Sequence, residues 1–169
     1  MLIREELKEG NFLPKKDFKT LKEHMESSRF PWFFNPSVVS KWPVEDNYFQ
    51  FTHTFYHSGR WDSDFKWILD PILEKIKPLS ILRIKANLNP REHKHTEHGL
   101  HVDFKSDNAK ITTAIFYVNT NNGYTRFEDG EKVKSIANTW CEFPSDRQHT
   151  GSTCTDQKKR IVINFNYIK

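Results

Sequence analysis

The sequence predicts a mainly β protein with flanking helices, folded as a distorted jelly-roll barrel in a single domain. Three observations carry this expectation. From Ile81 onward, apolar and polar residues alternate with a period of two over several short runs. Turn signals separate the runs, and Asp129-Gly130 between Thr125-Arg126-Phe127 and Lys132-Val133 predicts a two-residue hairpin. Before about residue 80, two helical patterns are available to cover an outer sheet face.

The first helix is expected to start at Pro14, repeat Phe18, Leu21 and Met25 at helical spacing, and end near Ser27-Ser28. Residues 48–56, rich in aromatic and β-branched side chains, read as a strand. A second helix, capped by Asp62 or Ser63, carries the apolar stripe Phe65, Ile68, Leu69, Ile72, Leu73 and Ile76. Pro71 predicts a kink or restart in it, and Pro78 its stop. In the strand that follows, Leu82, Ile84, Ala86 and Leu88 face one way while Arg83, Lys85, Asn87 and Asn89 face the other, so one face is polar. Residues 111–119 and 160–168 are further strands. No linker, repeat or low-complexity tract divides the chain, so residues 1–169 are expected as one domain, with 1–79 as support and 80–168 as the barrel core.

A chain of 169 residues is long enough for one core, and its 14 Phe, 5 Trp and 5 Tyr supply the packing that a disordered chain lacks. No apolar run approaches the roughly 20 residues needed to span a bilayer, and Met1-Leu2-Ile3-Arg4-Glu5-Glu6 lacks a signal-peptide apolar region. The expected location is cytoplasmic, without membrane attachment. Cys141 and Cys154 are too few for a disulfide framework and are expected as packing thiols. The net charge of +4 is scattered, its longest cluster being Lys158-Lys159-Arg160, which argues against a nucleic-acid partner.

The chemistry centres on His101-Val102-Asp103. On a strand, positions two apart point to one side, so His101 and Asp103 can reach a single ion. His149 follows a loop, 143–148, that can bring it from a different strand as a third ligand; its other reading is a surface imidazole. Two imidazoles and a carboxylate form the facial site used for non-haem Fe(II). Arg160 comes eleven residues after His149 at the head of an apolar strand. Ile161, Ile163, Phe165 and Tyr167 share the face expected under the helices, which sends Arg160, Val162 and Asn164 inward. An inward guanidinium needs an anionic partner, because burying it unpaired is costly.

His101-Val102-Asp103, the run Thr113-Ala114-Ile115-Phe116-Tyr117-Val118-Asn119, Gly123-Tyr124-Thr125, His149 and Arg160-Ile161-Val162 together resemble the prolyl 4-hydroxylase-like Fe(II)/2-oxoglutarate oxygenases, whose barrel is a double-stranded β-helix. The resemblance covers roughly residues 80–168. It implies that His101, Asp103 and His149 bind iron as the catalytic centre, that Arg160 pairs with the distal carboxylate of 2-oxoglutarate, and that Tyr117 hydrogen-bonds the same carboxylate. A core tyrosine is the alternative for Tyr117. Asn87 stands where the family often has a tyrosine near the keto-acid end of the cosubstrate, and it reads either as a donor to that cosubstrate or as a plain strand amide. The implied cofactors are Fe(II), 2-oxoglutarate as cosubstrate and dioxygen, with ascorbate as a candidate reductant.

The implied reaction is hydroxylation of an unactivated C–H bond, foremost of a prolyl residue in a peptide or protein. The same chemistry on a free amino acid or small metabolite is the alternative, followed by a non-catalytic cupin-like metal-binding module, against which an inward Arg160 argues. His93, His95 and His98 lie in a loop just before His101. With no Cys beside them they do not make a zinc set, and the loop reads as a solvated, mobile lid.

Overall fold

A computed structural model describes residues 10–38, 48–107 and 109–169 of the chain. The Met1 to Glu6 stretch read for a leader lies outside the described residues. Helix α1 (Lys15–Glu26) begins directly after Pro14 and stops at Ser27, whose amide and hydroxyl both turn back onto the His24 carbonyl. Leu21 and Met25 are its buried residues. Strands β1 (Phe33–Asn35), β2 (Gln50–His57) and β3 (Arg60–Trp61) follow.

The expected second helix is broken into a 3-10 turn, Lys66–Leu69, and a short α2 (Asp70–Ile76). Pro71 causes the break, since it lacks a donor and is tolerated only in the first turn of a helix. Neither Asp62 nor Ser63 caps the helical segment, whose N-cap is Phe65 without a side-chain bond; Ser63 Oγ instead accepts the Phe65 amide at 3.0 Å in the turn that leads into it. Lys77 closes α2 in a left-handed conformation, φ +45°, one residue before Pro78.

Strands β4 (Ser80–Pro90), β5 (Ile111–Tyr117), β6 (Tyr124–Phe127), β7 (Lys132–Lys134), β8 (Thr139–Pro144), β9 (His149–Gly151) and β10 (Lys159–Ile168) complete the fold. β5 ends two residues short of Asn119 because that side chain replaces the ladder: its amide accepts from Ile161 N and donates to Lys159 O, both at 2.8 Å. The hairpin between β6 and β7 is also longer than expected. Phe127 N bonds Glu131 O, so the loop has three residues, with Gly130 at φ +86° in the left-handed position that such a loop requires.

All pairings are antiparallel, in a seven-stranded sheet ordered β1-β2-β4-β10-β5-β8, with β3 on β2, and a three-stranded sheet ordered β7-β6-β9. The two faces of the large sheet hold different cores. On the outer face Ile84, Ala114, Phe116, Ile163 and Phe165 pack with Leu21, Met25 and Ile72 of the helices. On the inner face Ile115, Tyr117, Phe143 and Val162 meet Phe127 and Val133 of the small sheet. Cys141 belongs to this inner core, and Cys154 is likewise a buried free thiol. No helix among the described residues is long and apolar enough to cross a membrane.

Asn138 anchors the N-terminal segment to the barrel. Its side chain accepts from Leu13 N at 2.8 Å and donates to Gly10 O and Leu13 O at 2.6 and 2.9 Å, and it sits at φ +58°. Asn138→Gly keeps that backbone conformation and deletes only the amide. It is expected to lower unfolding stability by about 2–3 kcal/mol, because buried backbone groups lose their partners, read as a shift of the urea midpoint at constant slope.

Candidate active site

His101 and His149 are joined by their own backbones. Each donates its amide to the other's carbonyl, at 3.0 and 2.9 Å, and the ring centroids lie 4.6 Å apart. In both rings Nδ1 faces a backbone carbonyl, Gly99 O at 3.2 Å and Arg147 O at 3.1 Å. Hydrogen bonds of this kind place the proton on Nδ1 and leave the Nε2 lone pair for a ligand. Asp103 is drawn in by its amide bond to Ser145 O at 3.2 Å, and one ligand atom from each of His101, Asp103 and His149 lies within 4.8 Å of the others. These three residues could hold a metal ion, and they are the one such group among the described residues.

Partners absent from the sequence reading hold Asp103. Arg83 donates to its Oδ1 at 3.0 Å, while Thr113 and Asn166 donate to Oδ2 at 3.0 and 2.9 Å. Arg83 also donates to Asn166 Oδ1 at 3.0 Å, so the four side chains form one network. Burial pushes the Asp103 carboxyl up, but Arg83, His149 and the hydrogen bonds from Asn166 and Thr113 outweigh it and hold the group below the usual carboxylate range. For His149 burial dominates, lowering its pKa against the pull of Asp103 and favouring the neutral ring that metal ligation requires. Oδ1 of Asp103 has a lone pair left after Arg83 is satisfied.

Arg160 points inward and is only 3% exposed. Its Nε donates to Ser135 Oγ at 2.8 Å and its NH2 group to Thr125 Oγ1 at 3.3 Å, and among the described residues no carboxylate pairs with it. Burial pushes the guanidinium down, as expected for a cation compensated only by hydroxyls. Two glycines make its berth: a Cβ on Gly123 would lie 2.8 Å from Arg160 Cδ, and one on Gly151 3.3 Å from its NH1 group. Tyr117 is fully buried behind this pair and does not line the cleft. Its hydroxyl donates to Thr125 Oγ1 at 2.9 Å, which Arg160 also meets, and the Arg160 guanidinium lies over its ring at 5.8 Å from the centroid.

His101, Asp103, His149, Arg83, Thr125 and Arg160 line a cleft of about 400 Å³. Its floor is the inner face of β4 and β10, in cross-strand pairs Lys85–Asn164, Asn87–Val162 and Asn89–Arg160, with Arg83 next in line and its partner Asn166 buried beneath it. Asn87 thus lies on the floor between the Asp103 network and Arg160. The period of two that places Asn87 inward also places Lys85 and Arg83, and carried two residues past Asn164 it marks Asn166.

The His-rich loop is tied down rather than free. Arg91, Glu92 and Thr153 amides bond to Lys158, Cys154 and Thr96 carbonyls, and Arg126 clamps Glu97 in an ion pair of 2.6 Å. His98 lines the cleft, while His93 and His95 are exposed outside it.

No protein-family model and no curated protein sequence matches the chain. Among solved structures it is similar to a prolyl hydroxylase from Trichoplax adhaerens in complex with a hypoxia inducible factor oxygen degradation domain peptide fragment. That likeness has 14% identity and a TM-score of 0.62, over 94% of this chain and 81% of that one. It is similar also to a 2OG-Fe(II) oxygenase family oxidoreductase from Burkholderia pseudomallei, at 10% identity and a TM-score of 0.60, over 90% and 78% of the two chains. A Pseudomonas putida prolyl-4-hydroxylase aligns at 13% identity and a TM-score of 0.53, over 95% and 91%. The fold is therefore the double-stranded β-helix found in prolyl hydroxylases.

Gly123→Ala is expected to destabilise the protein by about 1–3 kcal/mol, since the added methyl must displace the Arg160 stem or the Asn121 amide. In an Arg160→Ala background part of that cost should vanish, a coupling that a double-mutant cycle of unfolding free energies measures.

Proposed function

We propose that this protein is an Fe(II)- and 2-oxoglutarate-dependent dioxygenase that hydroxylates an unactivated C–H bond. The observation that carries this reading is the Arg160 guanidinium, buried with no carboxylate partner among the described residues, in the same cleft as the His101, Asp103 and His149 donor set. A metal-binding barrel without a cosubstrate has no use for such a charge. The donor set fits Fe(II): two imidazoles with Nδ1 already engaged, and one ionised carboxylate with a lone pair to spare. With 2-oxoglutarate and dioxygen, Fe(II) would supply the oxidising chemistry, yielding succinate and carbon dioxide as the substrate is hydroxylated.

The remaining work belongs to the chain. Arg160 binds the distal carboxylate of 2-oxoglutarate, a pairing that can be bidentate. Ser135 and Thr125 hold its guanidinium in place, and Tyr117 holds Thr125. With both its lone pairs engaged, Thr125 has its own O–H free to donate into the cleft. Asn87 faces the space between metal and guanidinium and can donate to the keto-acid end. Ile115 and Val162 form an apolar wall that limits water. Arg83, Thr113 and Asn166 orient Asp103 and are positioning residues.

A prolyl residue in a peptide or protein is the favoured substrate, supported by the similarity to a prolyl hydroxylase bound to a peptide. The second reading, a free amino acid or small metabolite, is favoured by the modest volume and polar floor of the cleft.

Fe(II)-dependent conversion of 2-oxoglutarate to succinate is expected in the purified protein and should disappear in His101→Ala, Asp103→Ala and His149→Ala. Arg160→Ala should raise the concentration of 2-oxoglutarate required by about tenfold or more, the loss of at least 1.4 kcal/mol of binding, with metal still bound. Full turnover in the ligand variants, or loss of metal from Arg160→Ala, would contradict these roles.

A further inference from the structure

The inner face of β4 carries two neighbouring cations, both in the field of Asp103, and among the described residues only one of them is hydrogen-bonded. Arg83 is satisfied by Asp103 and Asn166. Lys85, the next inward residue, lines the same cleft, is partly buried, and makes no hydrogen bond or ion pair among the described residues. Its cross-strand neighbour Asn164 also lines the cleft and keeps a buried Oδ1 without a partner among the described residues, an acceptor that calls for an N–H or O–H of a ligand and not for its anionic group. Polar groups withdrawn from water in this way are costly unless a ligand meets them.

Charge and distance separate this spot from the cosubstrate. Among the described residues three cationic side chains, Arg83, Lys85 and Arg160, line the cleft against one carboxylate, Asp103. On the dioxygenase reading, the charges of Fe(II) and doubly ionised 2-oxoglutarate cancel, so the loaded cleft retains two positive charges in excess. Lys85 pairs with Asn164, four residues along β10 from Arg160, which is roughly 13 Å of strand. The distal carboxylate held by Arg160 is therefore not the anion that Lys85 faces.

We infer that Lys85 is a specificity-determining residue that binds an oxyanion of the substrate, a carboxylate or a phosphate, while Asn164 Oδ1 accepts from a donor group of the same molecule. The inference rests on the dioxygenase reading for its charge balance. It narrows the substrate to an acid: an amino acid with a free carboxylate, a peptide presenting a carboxylate near the oxidised residue, or a phosphorylated metabolite.

The test is calorimetric titration of the protein loaded with Mn(II) and 2-oxoglutarate without oxygen, using N-acetylproline, its neutral amide N-acetylprolinamide, and methyl phosphate. At least one anion is expected to bind about tenfold or more tighter than the amide, the carboxylate and phosphate arms identifying which oxyanion is preferred. Lys85→Met should abolish the preference and Lys85→Arg retain it, both with Mn(II) and 2-oxoglutarate affinities unchanged. Equal binding of anions and amide, binding of neither anion, or a preference that survives in Lys85→Met overturns the inference. So does Lys85→Met weakening 2-oxoglutarate instead, since Lys85 would then serve the cosubstrate. Failure to take up Mn(II) and 2-oxoglutarate would strike the dioxygenase reading instead, and the same probes titrated into metal-free protein would then judge Lys85 separately.

Discussion

Ile161, Ile163, Phe165 and Tyr167 are packed beneath the helices, and because a strand's side chains alternate, their burial drives Arg160, Val162, Asn164 and Asn166 onto the opposite face. A one-residue slip of β10 would exchange the two sets, placing a guanidinium in the apolar core and aromatic rings in the cleft. The register of this strand against β4 and β5 therefore fixes the fold and the site together. The helices act on the chemistry without touching it, by making only one orientation of β10 affordable.

Within the cleft, charge is managed in two ways. At the Asp103 end a carboxylate and a guanidinium meet at 3.0 Å, and Asn166 and Thr113 satisfy both lone pairs of Oδ2, which leaves one lone pair of Oδ1 facing the cleft. At the other end Arg160 has hydroxyls but no counter-charge among the described residues. The first arrangement stabilises a fixed geometry. The second leaves positive potential for an incoming anion, and Lys85 extends that potential along the floor between them.

Where expectation and structure part, the cause is long-range contact. The Asp129-Gly130 signal is real, yet the register set by Thr125↔Val133 and Arg126↔Lys132 leaves a three-residue loop. The His-rich loop looks solvated in isolation, and only its meeting with Thr153, Cys154 and Arg126 ties it down. Tyr117 faces inward as its alternation requires, but Thr125 stands between it and the cleft.

What the sequence determined by itself was whatever alternation encodes locally: the strands, the inward direction of Arg160 and Asn87, and the polar face that includes Arg83 and Lys85. These depend on residues two apart and need no knowledge of the partner strand. His101 and Asp103 lie on no strand, the first on an isolated bridge to His149 and the second in a bend, so backbone bonds to His149 and Ser145 rather than alternation bring them together. Tertiary structure alone decided which inward residues meet. Asp103 is held by Arg83, Thr113 and Asn166, at sequence separations of 20, 10 and 63 residues, and Arg160 rests on Ser135 and Thr125, 25 and 35 residues away. Such partnerships are set by strand order and register, and pairing a strand with its neighbours is a property of the whole sheet rather than of any segment within it.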